Sequence, residues 1–325
     1  MPDALLTGGT GFIGGALLRR LVADGRSVRA LVRSDEGREA VETAGAEAVD
    51  GDVTEPDSLP AAMADCATVF HVAGLNAMCL RNPLRLEQVN VDGSVAVVHA
   101  AADAGVSRVV YTSSAASIGE PHGEVGTETT AHRGWYVTSY ERSKHLAEVA
   151  VFEAARERGI DVVAVNPSSV QGPGRVGGTA RLLIKYLDGS LRYAVRSRMS
   201  LVSIDDCVEA HLLAERSGTP GERYLINGAV LTVEEAVALL GAITREKRRV
   251  RYLPRWVVRT GAAVVGGVSH LLRRDAPFCR EMAAAILHGH TYDGTRAERE
   301  LGLRYTPLSE WMADTVEWYR AHGIV

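Results

Sequence analysis

Short apolar runs alternate with amphipathic stretches from the first residues to about Pro167. The runs at Ala4 to Thr7, Val28 to Val32, Ala46 to Val49, Thr68 to Val72, Val109 to Thr112 and Val162 to Asn166 have the length and composition of buried strands. Between them Phe12 to Asp24, Val89 to Ala104 and Ser139 to Arg158 carry the apolar spacing of helices packed on one face. That order predicts βαβ units and an α/β fold with a parallel sheet. After Pro167 the alternation lapses. Ser168 to Gly178 is rich in Gly, Pro and Ser, and the remainder reads mainly as helices, with extended pieces at Ser200 to Ile204 and Arg223 to Ile226. Leu231 to Arg245 predicts a helix whose positive end carries Thr232, Glu234 and Glu235.

The 325 residues are 46% hydrophobic and 23% charged, enough for a sizeable core. A formal net charge of -4 gives no global reason to bind nucleic acid or an anionic membrane, so a small-molecule partner is expected. Cys66, Cys79, Cys207 and Cys279 are far apart and form no C-x-x-C pair; neither zinc nor a disulfide framework is indicated, no metal is expected, and reduced thiols fit. A glycine-rich loop starting at Thr7 leaves no room upstream for a signal peptide, which predicts a cytoplasmic protein. Trp256 to Leu272 is apolar but interrupted by Arg259 and too short for a membrane span of roughly 20 apolar residues, so a buried helix is expected. Arg245, Lys247, Arg248, Arg249, Arg251 and Arg255 precede it and leave weak surface association with a membrane open.

Thr7-Gly8-Gly9-Thr10-Gly11-Phe12-Ile13-Gly14 follows the first strand and opens the first helix, the context that a dinucleotide-binding loop requires. Glycines let the backbone approach a pyrophosphate, whose charge meets backbone N–H groups and the helix end. An NAD site places an acid at the end of the second strand; here Val32 and then Arg33 stand there. Arg33 suits a 2′-phosphate, with Ser34 adding a hydroxyl, so NADP(H) is expected; the alternative is that Arg33 is a solvated loop residue. Gly51-Asp52-Val53 follows the third strand, where Asp52 is either an acceptor for the adenine amino group or a turn former. Ala73-Gly74 follows the fourth, where small residues admit a cofactor.

Tyr140 and Lys144 stand one turn apart on the helix from Ser139, preceded by Thr112-Ser113-Ser114 at a strand end. An ammonium that favours the phenolate makes a tyrosine, which otherwise titrates near 10, usable as an acid or base. Ser114 is placed to hold a substrate oxygen, with Ser113 as the runner-up. His71, His99, His122, His145 and His211 have no matching carboxylate or cysteine pattern and read as packing or exposed residues.

These motifs, with His71-Val72-Ala73-Gly74, Asn90-Val91-Asp92-Gly93, Asn166-Pro167, Gly172-Pro173-Gly174 and Arg299-Glu300-Leu301-Gly302-Leu303, resemble the extended short-chain dehydrogenase/reductases of the NAD-dependent epimerase/dehydratase family over the whole chain. Val28 to Arg33 is most similar to the dihydroflavonol 4-reductase and 3β-hydroxysteroid dehydrogenase branch. The resemblance implies a Rossmann doubly wound parallel sheet over residues 1–166, rejoined by part of 199–227, and a smaller, mostly helical substrate-binding domain over 167–325. It also implies that Ser114, Tyr140 and Lys144 are catalytic and that Asn90 supports them. Gly8, Gly11, Phe12, Ile13, Gly14, Arg33, Asp52, Val53, Ala73, Gly74, Pro167 and Val170 would contact the cofactor, with Tyr140 and Lys144. A homodimer is a family expectation.

Three functions follow: an NADP(H)-dependent reductase of ketones or aldehydes, a nucleotide-sugar epimerase or dehydratase that retains its cofactor, and a silent NADP(H)-sensing protein. Nucleotide-sugar relatives place arginines at positions matching Met199 and Gly289 or His290, and both are absent here unless Arg196 or Arg198 substitutes. An uncharged, mainly apolar substrate is therefore expected, in a pocket drawn from Leu182, Leu183, Ile184, Tyr186, Leu191, Tyr193, Trp256 and Val257, residues that equally suit helix packing.

Overall fold

A computed structural model describes residues 3–325, with position 270 given by its backbone alone. The strands are β1 Ala4–Thr7, β2 Val28–Val32, β3 Glu47–Asp50, β4 Thr68–His71, β5 Arg108–Thr112, β6 Asp161–Pro167, β7 Ser169–Gln171, β8 Tyr193–Val195, β9 Arg198–Ser203, β10 Arg223–Ile226, β11 Ala229–Thr232 and β12 Arg251–Leu253. The helices are α1 Phe12–Ala23, α2 Asp35–Thr43, α3 Leu59–Met63, α4 Leu84–Glu87, α5 Gly93–Asp103, α6 Ser139–Arg158, α7 Ala180–Leu187, α8 Ile204–Ser217, α9 Val233–Thr244, α10 Arg255–Leu271, α11 Arg280–His288, α12 Thr295–Leu301 and α13 Leu308–Ala321.

Seven strands form one parallel sheet in the order β10-β6-β5-β4-β1-β2-β3. β1 and β4 are buried along their full lengths because helices cover both faces, which is why they read as unbroken apolar runs. Leu17 and Leu21 of α1 pack on one face with Val208 of α8 and Leu301 of α12. Val97 of α5 and Val151 of α6 pack on the other. The strand order reverses between β1 and β4, which opens a crevice at their carboxyl ends. β10 returns from the second half of the chain to pair with β6.

Beyond the sheet, β11-β9-β7 and β12-β8 make two small sheets whose strands of three to six residues leave a weak periodic signal. Leu231 lies in β11 rather than starting a helix; Thr232, the last residue of β11, caps α9 in a capping box with Glu235. The expected helix from Val89 divides into a π-helical turn over Gln88–Asp92 and then α5.

Three expectations are corrected. Cys79 and Cys279, 200 residues apart in sequence, form a disulfide, while Cys66 and Cys207 are free and buried. Spacing along the chain carries no trace of a pair that only the folding of α11 against the loop after β4 brings together. The segment expected as a buried helix is α10, whose Val258 and Ala262 are buried while Trp256, Val264 and Leu271 are 69%, 60% and 81% exposed. Leu183, Tyr186 and Leu191, expected in a substrate pocket, instead pack with Leu240, Trp311 and Met312. Among the described residues no helix is long and apolar enough to cross a membrane.

Candidate active site

The loop between β1 and α1 sits at the crevice. Gly8 has φ +75°, and a Cβ there would come within 2.7 Å of Ala73 N; a Cβ on Gly14 would lie 2.1 Å from Gly8 O. No side chain caps α1 at Gly11, so its first backbone N–H groups remain for an anion. Phe12 and Ile13 are half-buried against the core beneath. Ala73 N donates to Thr7 Oγ1, which also bonds His71 Nδ1 at 2.8 Å, while His71 Nε2 meets Ser94 Oγ at 2.9 Å. Burial, helped by the nearby Lys144 charge, lowers the His71 pKa to about 3, so the ring is a neutral structural link.

At the sheet edge of the crevice Arg33 is 68% exposed and its Nη1 lies 3.2 Å from Asp52 Oδ2. Asp52 also accepts from Thr54 N and Oγ1 through its other oxygen. Burial works against that carboxylate, but the Thr54 and Arg33 hydrogen bonds outweigh it and hold its pKa below the ordinary value. Ser34 Oγ accepts from Gly37 N and caps α2, and Asp35 and Glu36 lie in that helix's first turn rather than at the end of β2. The Val53 side chain is buried in the core against Gly93, so a ligand would meet it through its backbone. Pro167 and Val170 are buried where β6 gives way to β7.

Tyr140 stands in the first turn of α6. Thr138 Oγ1 caps the helix by accepting from Glu141 N, and the buried Glu141 carboxylate accepts from Val137 N and pairs with Arg133. This fixes where the phenol points. Burial pushes the Tyr140 phenol above its usual pKa, while the neighbouring Ser114 hydroxyl and Arg175 guanidinium pull it down. Ser114 is half-buried and Ser113 buried, its hydroxyl without a hydrogen-bond partner among the described residues. The Ser114 hydroxyl also accepts from Ala116 N at 3.2 Å.

Lys144 Nζ is buried and donates to Thr112 O at 3.0 Å, and burial lowers its pKa to about 8 against the opposing Glu148 charge. This bond directs the ammonium to the end of β5. Asn90, expected to support the catalytic residues, is buried and hydrogen-bonded. Its Oδ1 accepts from Leu75 N at 2.7 Å and its Nδ2 donates to Leu75 O and Ser143 Oγ, so it ties the loop after β4 to α6. The π-helical turn is what aims it inward.

Sequence reasoning missed Arg175, which sits 5.2 Å over the Phe12 ring and close enough to bias Tyr140. The signal was its place directly after Gly172-Pro173-Gly174. It also missed Glu120, whose Oε1 lies 2.6 Å from His290 Nδ1 and 3.5 Å from His288 Nε2. Burial opposes ionisation of Glu120, but the hydrogen bonds from His288 and His290 win and lower its pKa to about 2.

A glycine loop at a topological switch point, beside a Tyr and Lys on one helix face, defines an NAD(P)-dependent oxidoreductase of the extended short-chain type. The chain belongs to the NAD-dependent epimerase/dehydratase family, whose model matches residues 4–227. A Synechocystis protein bearing a provisional dihydroflavonol 4-reductase name is 31% identical over 98% of this chain and 95% of its own. The 4-hydroxy-2-methyl-3-oxo-4-farnesyl-3,4-dihydroquinoline-1-oxide ketoreductase of Stigmatella aurantiaca is 30% identical over 91% of this chain and 90% of its own. The solved UDP-glucose 4-epimerase of Thermotoga maritima, 23% identical with a TM-score of 0.78, covers 98% of this chain and 99% of its own and shares the fold.

Proposed function

We propose that this protein reduces a ketone or aldehyde on a mainly apolar small molecule with NADPH, or oxidises the matching alcohol. The observation that carries the reading is the placement of the Ser114 hydroxyl beside the Tyr140 phenol at the end of β5, with Lys144 buried behind them. The ketoreductase name of the Stigmatella relative supports it.

The bound nicotinamide would supply the hydride. The loop of Gly8, Gly11 and Gly14 would admit the pyrophosphate to the backbone N–H groups of the first turn of α1, and Arg33, at the end of β2 where no acid stands, would face the 2′-phosphate. Ser114 would donate to the carbonyl oxygen and Tyr140 would give its proton to that oxygen as negative charge develops. Lys144 would support the phenolate that remains by charge, from beside Thr112 O.

Tyr140→Phe keeps the ring and removes the proton. Turnover should fall at least roughly 100-fold, the scale of general acid catalysis, with NADPH affinity kept within about twofold. A panel of aromatic and alicyclic ketones and of UDP- and dTDP-sugars, with both cofactors, tests the reading. Ketone-dependent NADPH oxidation that is lost in Tyr140→Phe is expected; epimerised nucleotide sugar without ketone reduction would overturn it.

A further inference from the structure

A cavity of about 520 Å³ opens against the segment that leads into α6. Trp135, Tyr136 and Val137, which precede the Thr138 cap of α6, form one side, and Ala283 and Leu287 of α11 form another. Three guanidinium groups face this mostly apolar space: Arg255 and Arg259 from one side of α10, and Arg280 from the first turn of α11. All three are exposed. Arg255 donates to Leu287 O at 3.0 Å, and among the described residues none of the three has a carboxylate within 4 Å. Arg196, Arg223, Arg248 and Arg296, elsewhere in the same half of the chain, each have one.

Like charges gathered around an apolar cavity repel one another, and low-dielectric walls strengthen the field inside it. An anion relieves that repulsion and accepts from several guanidinium forks at once. The carboxylates nearby are already engaged: Glu120 by His288 and His290, and Glu281 by the Ser139 hydroxyl and N–H. Arg280 also lines a second cavity of about 530 Å³ that includes Ser139, the residue before Tyr140 in the chain.

We infer that Arg255, Arg259 and Arg280 form a subsite for an acidic group, a carboxylate or a phosphate, carried by an apolar substrate whose carbonyl reaches Tyr140. This rests on the reductase reading and replaces the expectation of an uncharged substrate. The arginines lie on α10 and α11, not at Met199 or at Gly289 or His290.

The test uses a bicyclic ketone bearing a remote carboxylate, 6-oxodecahydronaphthalene-2-carboxylate, beside its methyl ester and the analogue with a phosphate monoester in place of the carboxylate. Binding is measured by calorimetry with the protein saturated in NADP⁺, and reduction is followed with NADPH. At least one acid is expected to bind about tenfold or more tightly than the ester. Converting all three arginines to glutamine should weaken that acid at least about 30-fold, while the ester and NADP⁺ change less than about twofold. A thermal melt confirms that the variant is folded, as expected for exposed positions. Equal affinity of acids and ester in the native protein, or equal weakening of all three in the variant, would overturn the subsite. Selective binding of an acid without reduction of any of the ketones keeps the subsite and counts against the reductase reading; reduction without selectivity does the reverse.

Discussion

Arg33 and Asp52 illustrate how two side chains read separately become one device. The guanidinium reaches Asp52 Oδ2 at 3.2 Å, yet stays 68% exposed, so the pair is a hinge at the rim of the crevice and contributes little to stability by itself. Its value is positional: the carboxylate holds the arginine at the end of β2. Replacing Arg33 with Ala should raise the Kd for NADPH about tenfold or more and leave that for NADH within about twofold, since only the former brings a charge-assisted partner to this spot. Fluorescence titration with the two cofactors reads the difference, and equal weakening would remove Arg33 from the phosphate site.

At the scale of elements, the Cys79–Cys279 bond joins the loop after β4 to the cap of α11. Asn90 fixes the near end of that loop at Leu75, and the disulfide fixes its far end, so the wall of the cavity lined by Cys79, Cys279 and Ser139 is held at two points. A link across 200 residues restricts the unfolded chain strongly, although measured effects mostly fall near 2–4 kcal/mol. Cys79→Ser is expected to lower unfolding free energy by about that amount in denaturant titration, and to speed amide exchange in residues 75–83 more than in β1 or β4. A dithiol should have the same effect on the native protein and none on the variant. Unchanged exchange in the loop after reduction would show that the bond does not hold this wall.

Across the whole molecule, among the described residues, burial lowers the pKa of His71 to about 3 and that of His211 to about 4, and burial with the charges of His145 and Arg133 lowers that of the half-buried His132 to about 4. In the unfolded chain each binds a proton near 6.5, so between that value and about 4 the unfolded state holds more protons and stability must fall as pH falls. Glu120, held at about 2 when folded, extends the loss below its ordinary value of 4.5. Burial raises the pKa of Glu128, Glu141 and Asp205, so each offsets part of this as pH falls from its raised folded value to its ordinary one. The urea midpoint should therefore decline from pH 7 to pH 5, before carboxylates titrate appreciably; a flat midpoint over that interval would contradict the burial of these rings.

The sheet and the Tyr140–Lys144 pair were legible because they are local facts. A strand covered on both faces must be an apolar run, as β1 and β4 are. A glycine loop must sit between strand and helix, and residues four apart on α6 must share a face. What lay outside local reach needed the chain to fold back on itself. The disulfide, the Glu120–His290 contact over 170 residues, the turning of Lys144 toward Thr112 and the meeting of α10 and α11 arginines at Trp135 are all products of packing between distant segments. The apolar stretch from Trp256 shows the same division: its composition determined that α10 would be a helix, but only the shape of its neighbours decided that Val258 is buried while Trp256 faces outward. Sequence alone determined the elements and the chemistry they carry, because backbone preference and periodicity act over a few residues. Tertiary structure decided which of those chemistries meet, because burial and charge pairing depend on distance in space.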